Sequence, residues 1–83
     1  MKIASRKRYL LNNTHGRFVH LATVVHNVRE FMYFLDSALN QTYIEEITGG
    51  HLSKIEDDSL WYELGAFLQE QKVTNIKESR DEA

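Results

Sequence analysis

The sequence contains no cysteine, so its 83 residues must fold around a hydrophobic core that no disulfide can stabilise. A chain of this length buries only about 60–65% of the surface that it exposes when unfolded. Its apolar content of 42% indicates a globular protein and not a disordered one. We therefore expect a single domain over residues 1–76 and a flexible charged tail over residues 77–83, with little room for an enclosed active site.

The first part of the chain has the pattern of a β-hairpin. Residues 6–12 and residues 17–25 predict two strands, because apolar side chains cluster in the first and, in the second, divide between the two faces of a strand. The intervening residues end at Gly16, which can adopt a positive φ at no steric cost.

Residues 27–40 show the spacing of an amphipathic helix. Asn27 and Glu30 are placed like the two members of a capping box. The apolar residues that follow recur at intervals of three and four, which predicts one continuous apolar stripe. This segment is the first of two predicted helices.

The segment over residues 42–55 leaves two alternatives open. Its β-branched residues and the Gly49-Gly50 pair favour two strands joined by a tight turn. Alternatively, Thr42 caps a single helical turn that ends at Gly49. The strand alternative is preferred.

A second helix is predicted after residue 56, with Asp57, Asp58 or Ser59 as its N-cap. Gly65 within it would permit close approach to another element. Among the aromatic residues, we expect Tyr33 and Tyr62 to be exposed. The side chains expected to line the buried side of this helix are Leu60, Trp61, Leu64, Phe67 and Leu68.

These elements predict an α+β fold, in which a small antiparallel sheet of three to four strands has two helices packed on one face. The charges are segregated along the chain. The first 29 residues hold six lysines and arginines and no acid, whereas the remainder holds all 12 acids and four cations. Separated charges of this kind steer charged partners toward a protein surface.

The acidic residues concentrate in the middle of the chain. If the segment folds back at Gly49-Gly50, these carboxylates would form an exposed anionic ridge that imitates the phosphates of DNA. The alternative is an ordinary solvated face with acids at a helix N-terminus. The predicted partner-binding residues are Glu45, Glu46, Glu56, Asp57, Asp58 and Glu63.

The basic residues of the predicted hairpin offer a second hypothesis, a nucleic-acid-binding surface. A two-stranded ribbon can enter the major groove. The net charge of −2 and the absence of known nucleic-acid-binding motifs argue against it. The residues concerned are Arg6, Lys7, Arg8 and Arg17.

Metal binding and catalysis find little support in the sequence. The four histidines include His20 and His26, which lie about 20 Å apart on an extended strand and cannot bind one ion together. No nucleophile motif is present, and nothing predicts a site that would separate the pKa values of two carboxyls. We expect neither a cofactor nor an enzymatic activity.

The acidic Gly-Gly segment over residues 43–61, together with residues 28–39, resembles the small early host-takeover proteins of large lytic phages of Gram-positive bacteria. That family includes inhibitors that act as dimers on the DNA-binding surface of the bacterial nucleoid protein HU. The resemblance implies a viral inhibitor that mimics DNA and blocks the DNA-binding site of an HU-like host protein. It also implies that the inhibitor is a homodimer.

We also expect a cytoplasmic location, because the basic start leads into no signal-peptide core and no apolar run is long enough to span a bilayer. The alternative function is that of a small protein that binds nucleic acid through its basic hairpin.

Overall fold

The computed structural model describes residues 1–4 and 16–73, which form one five-stranded antiparallel sheet and one helix. The α+β class is confirmed, with five strands where three or four were expected. The strand predicted over residues 6–12 and the tail over residues 77–83 lie outside the described residues. The elements are β1 (Lys2–Ile3), β2 (Phe18–His26), β3 (Arg29–Asp36), β4 (Gln41–Thr48), β5 (His51–Lys54) and α1 (Asp58–Glu70).

The strands are arranged in sequence order, so that each strand pairs with the next one along the chain. The predicted second strand of the first hairpin is confirmed as β2, although its described neighbours are β1 and β3. A shift in register between His20 and Ala22 places one extra residue in β2, which is a β-bulge.

The helix predicted over residues 27–40 is wrong, because most of this segment is β3. Six consecutive residues, Phe31 to Asp36, are buried. A strand that is buried on both faces has a continuous apolar run, and such a run also satisfies the helical spacing of three and four. The predicted capping box is also wrong, because Glu30 lies within β3 and not in the first turn of a helix.

A two-residue turn at Asn27 and Val28 joins β2 to β3. His26 pairs with Arg29, and both turn residues have a positive φ, 50° for Asn27 and 56° for Val28. Two positive φ angles are required by a type I′ turn, whose twist matches that of the flanking strands. Asparagine tolerates this conformation, whereas a β-branched residue is strained in it.

The preferred alternative for residues 42–55 is confirmed. β4 and β5 form a hairpin in which Thr48 pairs with His51 around Gly49 and Gly50. The φ angles of the two glycines are 56° and 81°. Glycine adopts such angles without strain, which explains why the turn forms here.

An ion pair joins the start of β2 to the end of β3. Arg17 donates from Nε to Oδ1 and from Nη2 to Oδ2 of Asp36, both over 2.8 Å. Oδ1 also accepts from the backbone N–H groups of Ala38 and Leu39, within the turn before β4. Hydrogen bonding from Arg17 is the main reason why the pKa of Asp36 lies below its ordinary value.

The hydrophobic core lies between α1 and one face of the sheet, which we call the helix face. Leu60, Leu64 and Leu68 recur every four residues along α1 and are buried. Burial of each leucine side chain contributes roughly 1.5–3 kcal/mol. The sheet and the residue after β5 supply the remainder of the core: Ala22, Val24, Phe31, Tyr33 and Ile55.

The second face of the sheet is also apolar at its centre. Thr23 and Met32 are paired across β2 and β3 and are buried. Phe34 packs edge-on against Phe18 and lies 5.5 Å, between ring centroids, from Tyr43. Burial of β3 on both faces makes it the centre of the fold.

Three expectations for individual side chains are wrong. Tyr33 is only 5% exposed, because it faces the helix, and Trp61 is 44% exposed, because it lies at the border of the buried stripe of α1. No heavy atom lies within 4 Å of a Cβ built on Gly65, so this glycine does not mark a close approach. Tyr62 is exposed, as predicted.

Candidate functional site

The loop before α1 and the first turns of this helix concentrate negative charge. Residues 55–70 contain five acids and no lysine or arginine, and all five acids are exposed. Asp57 is the N-cap, and its Oδ1 accepts a hydrogen bond of 3.3 Å from the backbone N–H of Leu60. This confirms the first of the three predicted caps and fixes the position of the neighbouring carboxylates.

The two acids in the first half of α1 lie on different sides of the helix and do not form a single ridge. Asp58 and Glu63 are five residues apart, which places them roughly 140° apart around a helix. Glu56 lies before the helix and is exposed. We call the three exposed carboxylates of Glu56, Asp58 and Glu63 the helix acids.

Glu46 is neutralised by a cation from the basic first part of the chain. Arg29 donates from Nε to Oε2 over 2.9 Å and from Nη2 to Oε1 over 2.8 Å. Hydrogen bonding from Arg29 holds the pKa of Glu46 below its ordinary value. The guanidinium also lies 5.2 Å from the ring centroid of Phe31. Glu46 is therefore part of the sheet's own structure.

Glu45 and Glu46 lie on opposite faces of the sheet. Glu46 pairs with Phe31 on the helix face, whereas Glu45 pairs with Met32 on the second face and with Lys54 across β5. Successive residues of a strand always point to opposite faces. The structure therefore separates two of the six predicted residues that the sequence had suggested would act together.

An open groove of about 500 Å³ runs between the start of α1 and the sheet, where β5 ends. It brings Glu45 and Asp58 to one place, together with Lys54. Two exposed rings line it as well, since Trp61 and Tyr62 meet edge to face with centroids 5.1 Å apart. The periodic position of Trp61 in the sequence predicts a core residue, so the exposure of this pair is not evident from the sequence.

The described part of the basic group has a structural role. Arg17, the one member of that group within residues 16–73, is bound to Asp36 through two hydrogen bonds. Arg6, Lys7 and Arg8 lie outside the described residues. Hydrogen bonding to Asp36 raises the pKa of Arg17, so its positive charge is fixed by an internal partner.

The histidines of the described residues do not form a metal site. His20 lies within 2.7 Å of the Thr23 hydroxyl, and His26 contacts the Asn27 side-chain amide. Among residues 1–4 and 16–73, no three histidine or carboxylate side chains are placed to hold an ion. The same part of the chain holds no helix that is long and apolar enough to cross a membrane.

Comparisons with protein-family models, curated proteins and solved structures give no match to this chain. The functional argument therefore depends on the residues of the chain itself.

Proposed function

We propose that this protein acts by binding a cationic surface of another protein, and not by catalysis. The observation that supports this proposal is the run of five exposed acids without a single cation over residues 55–70. The exposed rings of Trp61 and Tyr62 line the same groove as one of these acids, Asp58. Tryptophan and tyrosine are the side chains that most often dominate binding energy, and charge complementarity accelerates association.

The narrower proposal is that the partner is an HU-like nucleoid protein of a bacterial host and that the carboxylates occupy its DNA-binding site. Carboxylates accept strong hydrogen bonds from arginine and lysine, as phosphates do. Five of the six residues proposed for this role form no ion pair among the described residues, although Asp57 also caps α1: Glu45, Glu56, Asp57, Asp58 and Glu63. Glu46 is withdrawn from the set, because Arg29 already binds it.

A competition experiment tests this proposal. A labelled DNA duplex is bound to purified HU, and the anisotropy of the label is followed as the protein is added. We expect the DNA to be displaced, with weaker displacement at higher salt because exposed charges are screened. Absence of displacement at low salt would contradict the narrower proposal.

A variant with Glu56→Gln, Asp58→Asn and Glu63→Gln removes the helix acids while keeping the side chains nearly isosteric. We expect it to displace DNA at least about tenfold less well, since each rim charge contributes modestly to association. Asp57 is left unchanged because it caps α1. A control titration of the same DNA without HU identifies the rival function, since direct binding of DNA would favour a nucleic-acid-binding protein.

A further inference from the structure

The groove beside α1 contains a piece of sheet edge that β5 does not cover. β4 begins at Gln41, but its pairing with β5 covers Glu45 to Thr48 only. After Lys54 the chain leaves the sheet toward the buried Ile55 and the helix. Among the described residues, no strand pairs with residues 41–44 on this side.

The alternation of the ladder shows which backbone groups face this edge. A two-residue hairpin turn is closed by a pair that exchanges both backbone hydrogen bonds, here Thr48 with His51. Every second residue of β4 then directs its N–H and C=O toward β5, which places Thr42 and Ile44 in that orientation. Applied to the turn at Asn27 and Val28, the same rule directs the backbone groups of the other residues of β4 toward β3. The two turns therefore give the same orientation for Thr42 and Ile44.

The groove offers different side chains above and below this edge. Asp58, Trp61 and Tyr62 belong to the helix side, whereas Glu45 pairs on the second face of the sheet. An added strand would direct its successive side chains alternately to these two sides. Each side presents a carboxylate, and the helix side adds two rings that can bind a cation over their faces.

We propose that the groove binds an extended segment of the partner that carries consecutive lysine or arginine residues, and that this segment pairs with the edge of β4 at Thr42 and Ile44. This inference rests on the proposed function and adds the mode of binding to it. Backbone pairing supplies affinity in such strand addition, and the pockets for side chains supply specificity. Among the described residues that line the groove, Lys54 is the single cation, against two carboxylates.

The probe is a blocked octapeptide with three consecutive lysine or arginine residues flanked by valine and threonine. Trp61 is the only tryptophan of the chain and lines the groove, so its fluorescence reports occupancy. A matched peptide with N-methyl groups on alternate residues keeps all its charges but cannot pair as a strand. We expect the methylated peptide to bind at least about tenfold more weakly, since several backbone donors are lost.

Variants of the protein provide an independent test of pairing at the edge of β4. Thr42→Pro removes an N–H that faces the edge, and we expect about fivefold weaker binding, the effect of one hydrogen bond. Thr42→Val keeps that N–H and serves as the matched control, which should bind more tightly than Thr42→Pro. Lys54→Gln removes the cation of the groove and should tighten binding, because the two carboxylates are then unopposed.

Equal affinity of the two peptides would overturn the strand-addition mode, even if Thr42→Pro failed to fold. If both peptides bind equally and the helix-acid variant binds neither, the proposed charge-dependent function stands and only the edge inference fails. If neither peptide binds, the edge inference also fails, and the displacement of DNA from HU decides the proposed function separately.

Discussion

The acids of the sheet and the acids of the helix differ in what they bind. Asp36 and Glu46, in the sheet, are each held by two hydrogen bonds from an arginine. The helix acids form no ion pair within the described residues, and their segment contains no cation. This difference indicates that the two sheet carboxylates bound by an arginine, Asp36 and Glu46, stabilise the fold, whereas the helix acids remain available to a partner.

The largest expected effect on stability is that of Asp36→Ala. The substitution removes a buried carboxylate that accepts two hydrogen bonds from Arg17 and two from turn amides, and each lost hydrogen bond costs about 1 kcal/mol. We expect a lower midpoint in urea unfolding than for any other substitution considered below. Asp36→Asn, which keeps one acceptor oxygen, should fall between this variant and the parent protein. A small decrease in the unfolding midpoint of Asp36→Ala would contradict the structural role of this carboxylate.

Acid should weaken the sheet pairs. The pKa values of Asp36 and Glu46 are lowered by their arginines, so the folded state favours the ionised forms. Their contribution to the free energy of unfolding is fully present above the ordinary carboxyl pKa of about 4, and it is lost as the pH falls through the lower folded-state values. Urea unfolding at several pH values should show a shallower decline for Asp36→Asn combined with Glu46→Gln. An unchanged slope in this double variant would contradict the assignment.

A substitution in the turn at Asn27 and Val28 should increase the stability of the protein, whereas the changes above decrease it. Val28 is 99% exposed and has a positive φ, so its side chain gains no burial in exchange for the strained backbone. Val28→Gly creates the preferred type I′ pair, and we expect stabilisation of about 1 kcal/mol. Val28→Ala, which keeps the Cβ, serves as control and should gain much less. A destabilised glycine variant would show that Val28 makes contacts important for the fold.

Neutralising the helix acids should change stability least. Glu56→Gln and Glu63→Gln affect exposed side chains without hydrogen-bond partners among the described residues, so each should shift the free energy of unfolding by less than about 0.5 kcal/mol. Thermal unfolding of each variant provides the measurement. A loss of stability comparable to that of Asp36→Ala would show that these acids stabilise the fold. It would contradict the distinction between the arginine-bound sheet carboxylates and the helix acids.

The parts of the fold that the sequence predicted are those with a distinctive local signal. Gly49-Gly50 marked the β4–β5 hairpin, and Asp57 marked the start of α1. β3 was mistaken for a helix because burial on both faces removes the alternation that identifies a strand. The turn before it was missed because Val28 is an unfavourable residue for a positive φ.

The candidate site was predicted only in part. The preferred strand alternative for residues 42–55 already implied that Glu45 and Glu46 point to opposite faces, so their separation could have been foreseen. The pairing of Glu46 with Arg29 could not, because it depends on the register between β3 and β4. The exposure of Trp61 depends on how α1 is rotated against the sheet, which periodicity fixes only approximately.

Two single substitutions distinguish a free carboxylate from a bound one, since each removes one negative charge. Asp58→Asn alters a helix acid, and Glu46→Gln alters a carboxylate that Arg29 already binds. Calorimetric titration of each variant into HU at low salt measures the effect on affinity. We expect weaker binding for Asp58→Asn and little change for Glu46→Gln. Equal losses, or a greater loss for Glu46→Gln, would contradict this expectation.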